Sequence, residues 1–147
     1  MDKRRIDRHL WSMRWLLVLL LAWPAYAGSG DLLVGTAIIV DGDTLDLRTK
    51  TRTVRIRIAS VNAPERGRPG ARAASRYLWS LTAGKQVYCL DTGDRTPGIK
   101  NGRRIKRVVA TCFVQRRPTV PWQDLAILLR RGGHAREIKR YSNGYYR

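Results

Sequence analysis

"GTAIIVDGDTLDL" (residues 35–47) and "TVRIRIASV" (residues 53–61) decide the fold. The first stretch opens with a β-branched run, 35–40, then turns at Asp41-Gly42 and returns through 44–47. Asp-Gly is a strong hairpin signal because both residues can take positive φ. Leu45 and Leu47 share one face of the return run. The residues between the two stretches, 49–53, are poor in apolar side chains and read as a second turn. The third run, 54–61, alternates: Val54, Ile56 and Ile58 on one side, Arg55 and Arg57 on the other. A period of two marks a half-buried strand. The three runs predict a meander. Asn62-Ala63-Pro64 ends it, because proline cannot extend a ladder.

Further along, 66–70 reads as a loop and 71–81 as a helix, with Ala74, Tyr77, Leu78 and Leu81 at helical spacing. Gly84 closes that helix. Strand-like runs follow around the two cysteines, 86–90 and 108–114. Between them, 92–106 holds Gly93, Pro97, Gly98 and Gly102 among many cations, and reads as a long, mobile, positive loop. A second helix is predicted over 122–131, with Leu125, Leu128 and Leu129 as its stripe and Gly132-Gly133 as its stop. Five short strands with a helix between the third and fourth is the order of an OB-fold, a Greek-key β-barrel that often binds oligonucleotides. The fold class expected is therefore α+β, a five-stranded barrel with two short packing helices.

The first 27 residues have the form of a secretory signal peptide. Lys3, Arg4, Arg5, Arg8 and Arg14 precede or flank a short apolar run, 15–22, and Ala25-Tyr26-Ala27 offers a small-x-small cleavage site. Cleavage after Ala27 leaves 28–147 as one domain, periplasmic or secreted. The apolar run is shorter than the roughly 20 residues a spanning helix needs. An uncleaved N-terminal anchor is the rival; with cleavage, no stable membrane association is expected.

The chain carries 29 Lys and Arg against 11 Asp and Glu, a net charge of +18. Such an excess points to a polyanionic partner such as nucleic acid. The two cysteines, Cys89 and Cys112, lie in separate strand-like runs. In an oxidising compartment an even count favours one disulfide, provided that the two runs pair as neighbours; two separate buried thiols are the alternative. The only histidines are His9 and His134. Catalysis by paired imidazoles is thereby excluded beyond the leader, and a zinc site is disfavoured.

Scarce acids nonetheless gather at Asp41, Asp43 and Asp46. Asp46 alternates away from Leu45 and Leu47 and reads as a solvated strand residue. Asp41-Gly42-Asp43-Thr44 precedes Arg57, which stands eight residues before Glu65 in Asn62-Ala63-Pro64-Glu65. Arg107 stands two residues before Val109-Ala110, and Leu129-x-x-Gly132-Gly133-x-Ala135 follows. In this order the motifs resemble the thermonuclease, or staphylococcal-nuclease-like, family over roughly 34–141.

The resemblance implies an OB-fold barrel that binds Ca2+ beside a DNA or RNA phosphate. It implies Asp43, Asn62 and the Ala63 carbonyl as metal ligands, with Asp41 in support. Glu65 corresponds to the general base that activates water. Arg57 and Arg107 correspond to the pair that grips the phosphate, and Thr44 and Tyr141 to substrate contacts. Arg103 or Arg104 is the alternative to Arg107. Two departures stand out. Asn62 falls where the family has a second aspartate ligand, and six residues after Tyr141 leave the family's third C-terminal helix absent or truncated. The function expected is a secreted calcium-assisted nuclease; the alternative is a catalytically weak or inactive nucleic-acid-binding module.

Overall fold

A computed structural model describes residues 30–138. The signal peptide, its rival anchor, Tyr141 and the third helix all lie outside the described residues. The chain folds as α+β: a mostly antiparallel sheet with two helices. The strands are β1 (Leu32–Ile39), β2 (Thr44–Arg48), β3 (Thr53–Ile58), β4 (Val61–Asn62), β5 (Gln86–Lys100), β6 (Arg103–Val114), β7 (Gln123–Asp124) and β8 (Arg136–Glu137). The helices are α1 (Ala71–Thr82) and α2 (Leu125–Arg131).

The main sheet runs β3-β2-β1-β5-β6-β7, and a parallel pairing of β3 with β6 closes its first five strands on themselves. That closure is compatible with an OB-like barrel. Alternation explains it. Leu45 and Leu47 on β2, Ile56 and Ile58 on β3, and Val87, Ala110 and Val114 on β5 and β6 point inward and are fully buried or nearly so. α1 covers this interior with Ala74, Leu78 and Leu81, and α2 with Leu125, Ala126 and Leu129. Cys89 and Cys112 sit directly opposite on β5 and β6 and form a disulfide, their Cα atoms 4.1 Å apart.

Several expectations are corrected. Eight strands rather than five occur among the described residues; β4, β7 and β8 are two-residue pairings too short to leave a period in sequence. The third strand stops at Ile58, because Ser60 takes a positive φ of 64° and redirects the chain into β4. The second helix starts at Leu125, three residues later than predicted. Asp124 caps it by accepting from the Ala126 N–H at 2.7 Å.

The largest correction concerns 92–106, which is no loop. β5 and β6 continue as a paired arm to a two-residue turn at Asn101-Gly102, with φ of 51° and 73°. Asn-Gly is the pair that such a hairpin turn favours. At Asp41-Gly42, by contrast, neither residue has positive φ. Gly42 is needed there for space: an added Cβ would lie 2.6 Å from the Cβ atoms of both Ala63 and Ala74. Its bare backbone lets the 40–43 turn press against α1 and the residues after β4.

Candidate functional site

The outer face of β2 and β3 carries the site. Register places Thr44 opposite Arg57 and Asp46 opposite Arg55, so two polar pairs lie side by side on a face that points away from the core. The 40–43 turn adds Asp43, β4 adds Asn62, and the chain after it adds Ala63 and Glu65.

Asp43 is 4 % exposed, yet carries a carboxylate. Both of its oxygens are engaged. Oδ1 accepts from Arg57 Nη1 at 2.8 Å and from the Thr44 hydroxyl at 3.0 Å, and Oδ2 accepts from the Ala63 N–H at 2.8 Å. Its own N–H donates to Asp41 Oδ1 at 3.1 Å, which fixes the turn. Burial pushes the Asp43 carboxyl above its ordinary range. The Ala63 N–H and Arg57 pull it down, and the Asp41 charge adds to the rise.

Arg57 bridges the two sides. Its Nη2 donates to Asn62 Oδ1 at 2.7 Å while Nη1 holds Asp43. Arg107 reaches the same place from β6, and its Nη1 donates to Thr44 Oγ1 at 3.3 Å. Arg107 Nε is buried with no partner among the described residues. Burial and the neighbouring Arg57 lower the Arg107 pKa, against the opposing charges of Asp43, Asp41 and Glu65. Arg107 thus lies within electrostatic reach of the other four charged residues expected at the site. Arg103 and Arg104 stand instead at the tip of the β5–β6 arm.

Glu65 is exposed, just past Pro64, and its carbonyl accepts from Arg68 N–H. Its carboxylate makes no ion pair among the described residues. Ala63 was expected to offer its carbonyl; what it visibly contributes is its N–H, spent on Asp43. Tyr141 cannot be placed, because it lies outside the described residues. His134 packs against Tyr77, with ring centroids 4.4 Å apart, as a residue at a helix end does.

Calcium coordinates oxygen, typically six to eight atoms, and its affinity rises with ligand charge. Among the described residues no three His, Cys, Asp or Glu side chains converge. The donors here are of the right kind, the Asp43 carboxylate and the Asn62 amide oxygen, with Asp41 behind the turn. They fit calcium by chemistry and offer it little charge.

Sequence reading missed Asp46. It is buried, and holds Arg55 with two hydrogen bonds, Nε to Oδ1 at 2.8 Å and Nη2 to Oδ2 at 2.9 Å. Lys100 of the arm lies 3.6 Å from Oδ2, and Arg55 Nη1 donates to the Ile99 carbonyl at 2.6 Å. Arg55 thereby lowers the Asp46 pKa. The available signal was the strand period: Asp46 and Arg55 share a face with Thr44 and Arg57.

Comparison with known proteins gives three informative relatives. The chain is 33% identical over 87 residues to a Shigella flexneri protein named micrococcal nuclease, covering 56% of this chain and 48% of that one. It is 31% identical over 72 residues to an Escherichia coli protein named as an uncharacterized endonuclease, covering 49% and 46%. It is 28% identical over 130 residues to the Escherichia coli protein ParB, covering 88% and 70%. The chain spans about half the length of the first two. No family model matches it. The nuclease and endonuclease relatives support a thermonuclease-like family.

Proposed function

We propose that this thermonuclease-like chain is a calcium-assisted nuclease of the periplasm or exterior, with an OB-fold barrel and one domain over 28–147. The observation that carries the reading is the convergence of two arginines on one buried carboxylate: Arg57 donates to Asp43 and Asn62, and Arg107 donates to Thr44, which itself donates to Asp43. Two guanidinium groups beside a buried carboxylate and an exposed one form a seat for a phosphodiester. The names of the relatives supply nucleic acid as the substrate; DNA is the first candidate and RNA the second.

Arginine is suited to the phosphate because its planar, permanently charged fork matches two oxygens at once. Arg57 arrives oriented by Asp43 and Asn62, so little rotamer freedom remains to be lost when phosphate binds. Arg107 has an unused buried N–H and further donors to give. Both are aimed where negative charge grows as a nucleophile adds to phosphorus. Glu65, exposed and free of ion pairs with described residues, takes the proton from the attacking water. Thr44 relays orientation by donating to Asp43 and accepting from Arg107. Asp43, Asn62 and the Ala63 carbonyl are the groups that would hold calcium, which supplies positive charge beside the phosphate.

One observation favours a second reading, a nucleic-acid-binding module with weak catalysis. The Asn62 amide oxygen, where a charged ligand is expected, is already held by Arg57. Cleavage of single-stranded DNA against calcium concentration separates the two. Expected are activity that disappears in chelator, and a loss of about 100-fold or more in Glu65→Gln. Asn62→Asp should raise apparent calcium affinity about tenfold, since ligand charge sets that affinity. Wild-type binding without cleavage at any calcium concentration sinks the catalytic reading.

A further inference from the structure

A concave surface adjoins the site between the 40–43 turn and α1. It is a cavity of about 380 Å³ lined by Asp41, Arg66, Arg72, Ser75 and Arg76. We infer that it holds a second phosphate of the same nucleic-acid strand, next to the one gripped by Arg57 and Arg107. This rests on the nucleic-acid reading of the adjoining site.

Arg72 and Arg76 are four residues apart on α1. They therefore lie on one side of the helix, about 6 Å apart along its axis. Both are exposed, and neither makes an ion pair with a described residue. α1 has no acidic residue in its first turn to neutralise them. Arg66 closes the opposite wall. One of its nitrogens is fixed on the Val40 carbonyl at 2.6 Å, which holds the guanidinium at the back of the 40–43 turn.

Asp41 is the one acid among the lining residues, and its Oδ1 already accepts from Asp43 N–H. Three guanidinium groups against one engaged carboxylate leave the groove cationic. It is also continuous with the site, since Asp41 belongs to the Asp43 turn and Arg66 follows Glu65 directly. A strand leaving the scissile phosphate meets it next. The arm also carries exposed cations, Arg103, Arg104 and Lys106, but among the described residues these line none of the cavities beside the site. Guanidinium forks that line one cavity can meet a phosphate bidentately; cations that line none attract it by charge alone.

The test is binding of a long single-stranded oligonucleotide in chelator, so that cleavage plays no part, measured by anisotropy across a salt series. Each lost phosphate contact lowers the slope of log K against log salt by roughly 0.7 for a single strand. Arg72→Gln with Arg76→Gln should lower it by one to two such steps. Arg103→Gln with Arg104→Gln should leave it unchanged, within less than half such a step of wild type. The charge-conserving pair Arg72→Lys with Arg76→Lys should keep the slope while weakening binding, and serves if the glutamine pair fails to fold. Equal losses from groove and arm would mean diffuse attraction and overturn the proposal, as would an unchanged slope in the groove pair. Wild type that binds here but does not cleave at any calcium concentration leaves this test intact while the nuclease reading falls. A wild type that does not bind in chelator overturns this proposal, while cleavage with calcium supplied judges the nuclease reading by itself.

Discussion

Two carboxylate–arginine pairs lie one register step apart on the same face, and they behave oppositely. Asp43 with Arg57 and Asp46 with Arg55 are both buried acids paired with neighbouring arginines of β3. Burial wins at Asp43 and raises its pKa, whereas the fork of Arg55 wins at Asp46 and lowers it. The difference lies in geometry. Arg55 turns Nε and Nη2 onto both oxygens of Asp46 and closes the pair. Arg57 gives one nitrogen to Asp43 and the other to Asn62, and so stays divided between two sides. Environments that push like groups apart mark different roles: a closed pair holds structure, while an open pair is left with charge to use.

Separating the two arginines gives the largest expected effect. Arg57→Ala should reduce the rate of DNA cleavage by about 100- to 1,000-fold, the usual loss when one donor to a developing oxyanion is removed. Arg57→Lys, which keeps a charge near Asp43, should still lose most of this because a single ammonium cannot serve both Asp43 and Asn62. Arg55→Ala should change the rate less than about threefold but cost about 2 kcal/mol of stability, since it strands Asp46 with Lys100 as its nearest partner. Paired rate assays and urea titrations check both. If Arg55→Ala were as damaging to catalysis as Arg57→Ala, the division into structural and functional pairs would collapse.

The pH dependence of stability sharpens the same contrast. Asp46 has its folded pKa below the ordinary 3.8 of an aspartate, so its contribution is present above that value and lost as pH falls through the folded pKa. Asp43 has its folded pKa above 3.8, so the folded state holds the proton more tightly. Its ionisation costs stability as pH rises from 3.8 through the folded value. Urea unfolding in chelator, from acid to neutral pH, should show Asp46→Asn losing ground to wild type as pH rises and Asp43→Asn gaining it. Parallel slopes would show that the two acids sit in equivalent surroundings after all.

What sequence could reveal follows from the range of the forces involved. The meander was legible because alternation is local: Leu45 and Leu47, then Val54, Ile56 and Ile58, report their faces to any reader. The helix over Ala74, Leu78 and Leu81 was legible for the same reason. The expectation that Asp43, Arg57 and Arg107 meet came through resemblance; Arg57 does hold Asp43, and Arg107 rather than Arg103 or Arg104 stands beside Thr44. The arm was not legible, although Asn101-Gly102 carried its turn. Gly93, Pro97 and Gly98 argue locally for a loop, and what holds the segment straight is distant: Arg55 on the Ile99 carbonyl and Asp46 near Lys100. Asp46 was misread for the matching reason. An outward polar residue looks solvated until the arm that covers it is known. Gly42 was identified correctly as a turn residue and for the wrong cause, since contact with Ala63 and Ala74 demands it rather than φ.

The smallest expected effect tests whether the closed pair serves the open one. Gly98 stands on the arm one residue before Ile99, where Arg55 anchors it. An added Cβ at Gly98 would lie 2.8 Å from Cγ and Cδ of Arg107 and 3.0 Å from Nε. The bare backbone of Gly98 is thus the floor on which the Arg107 stem rests, and the Asp46–Arg55 pair sets the height of that floor. Because φ at Gly98 is not positive, alanine suits the backbone, but its Cβ crowds the Arg107 stem, so it should cost about 1 kcal/mol of stability. The flexible arginine must move, and a small displacement of a phosphate ligand is costly. Gly98→Ala should lower kcat about fivefold with KM little changed. In an Arg107→Ala background the same substitution should add nothing, because the coupling energy of the cycle belongs to the contact itself. An additive loss would place the effect of Gly98 elsewhere and leave the arm's anchor with no part in catalysis.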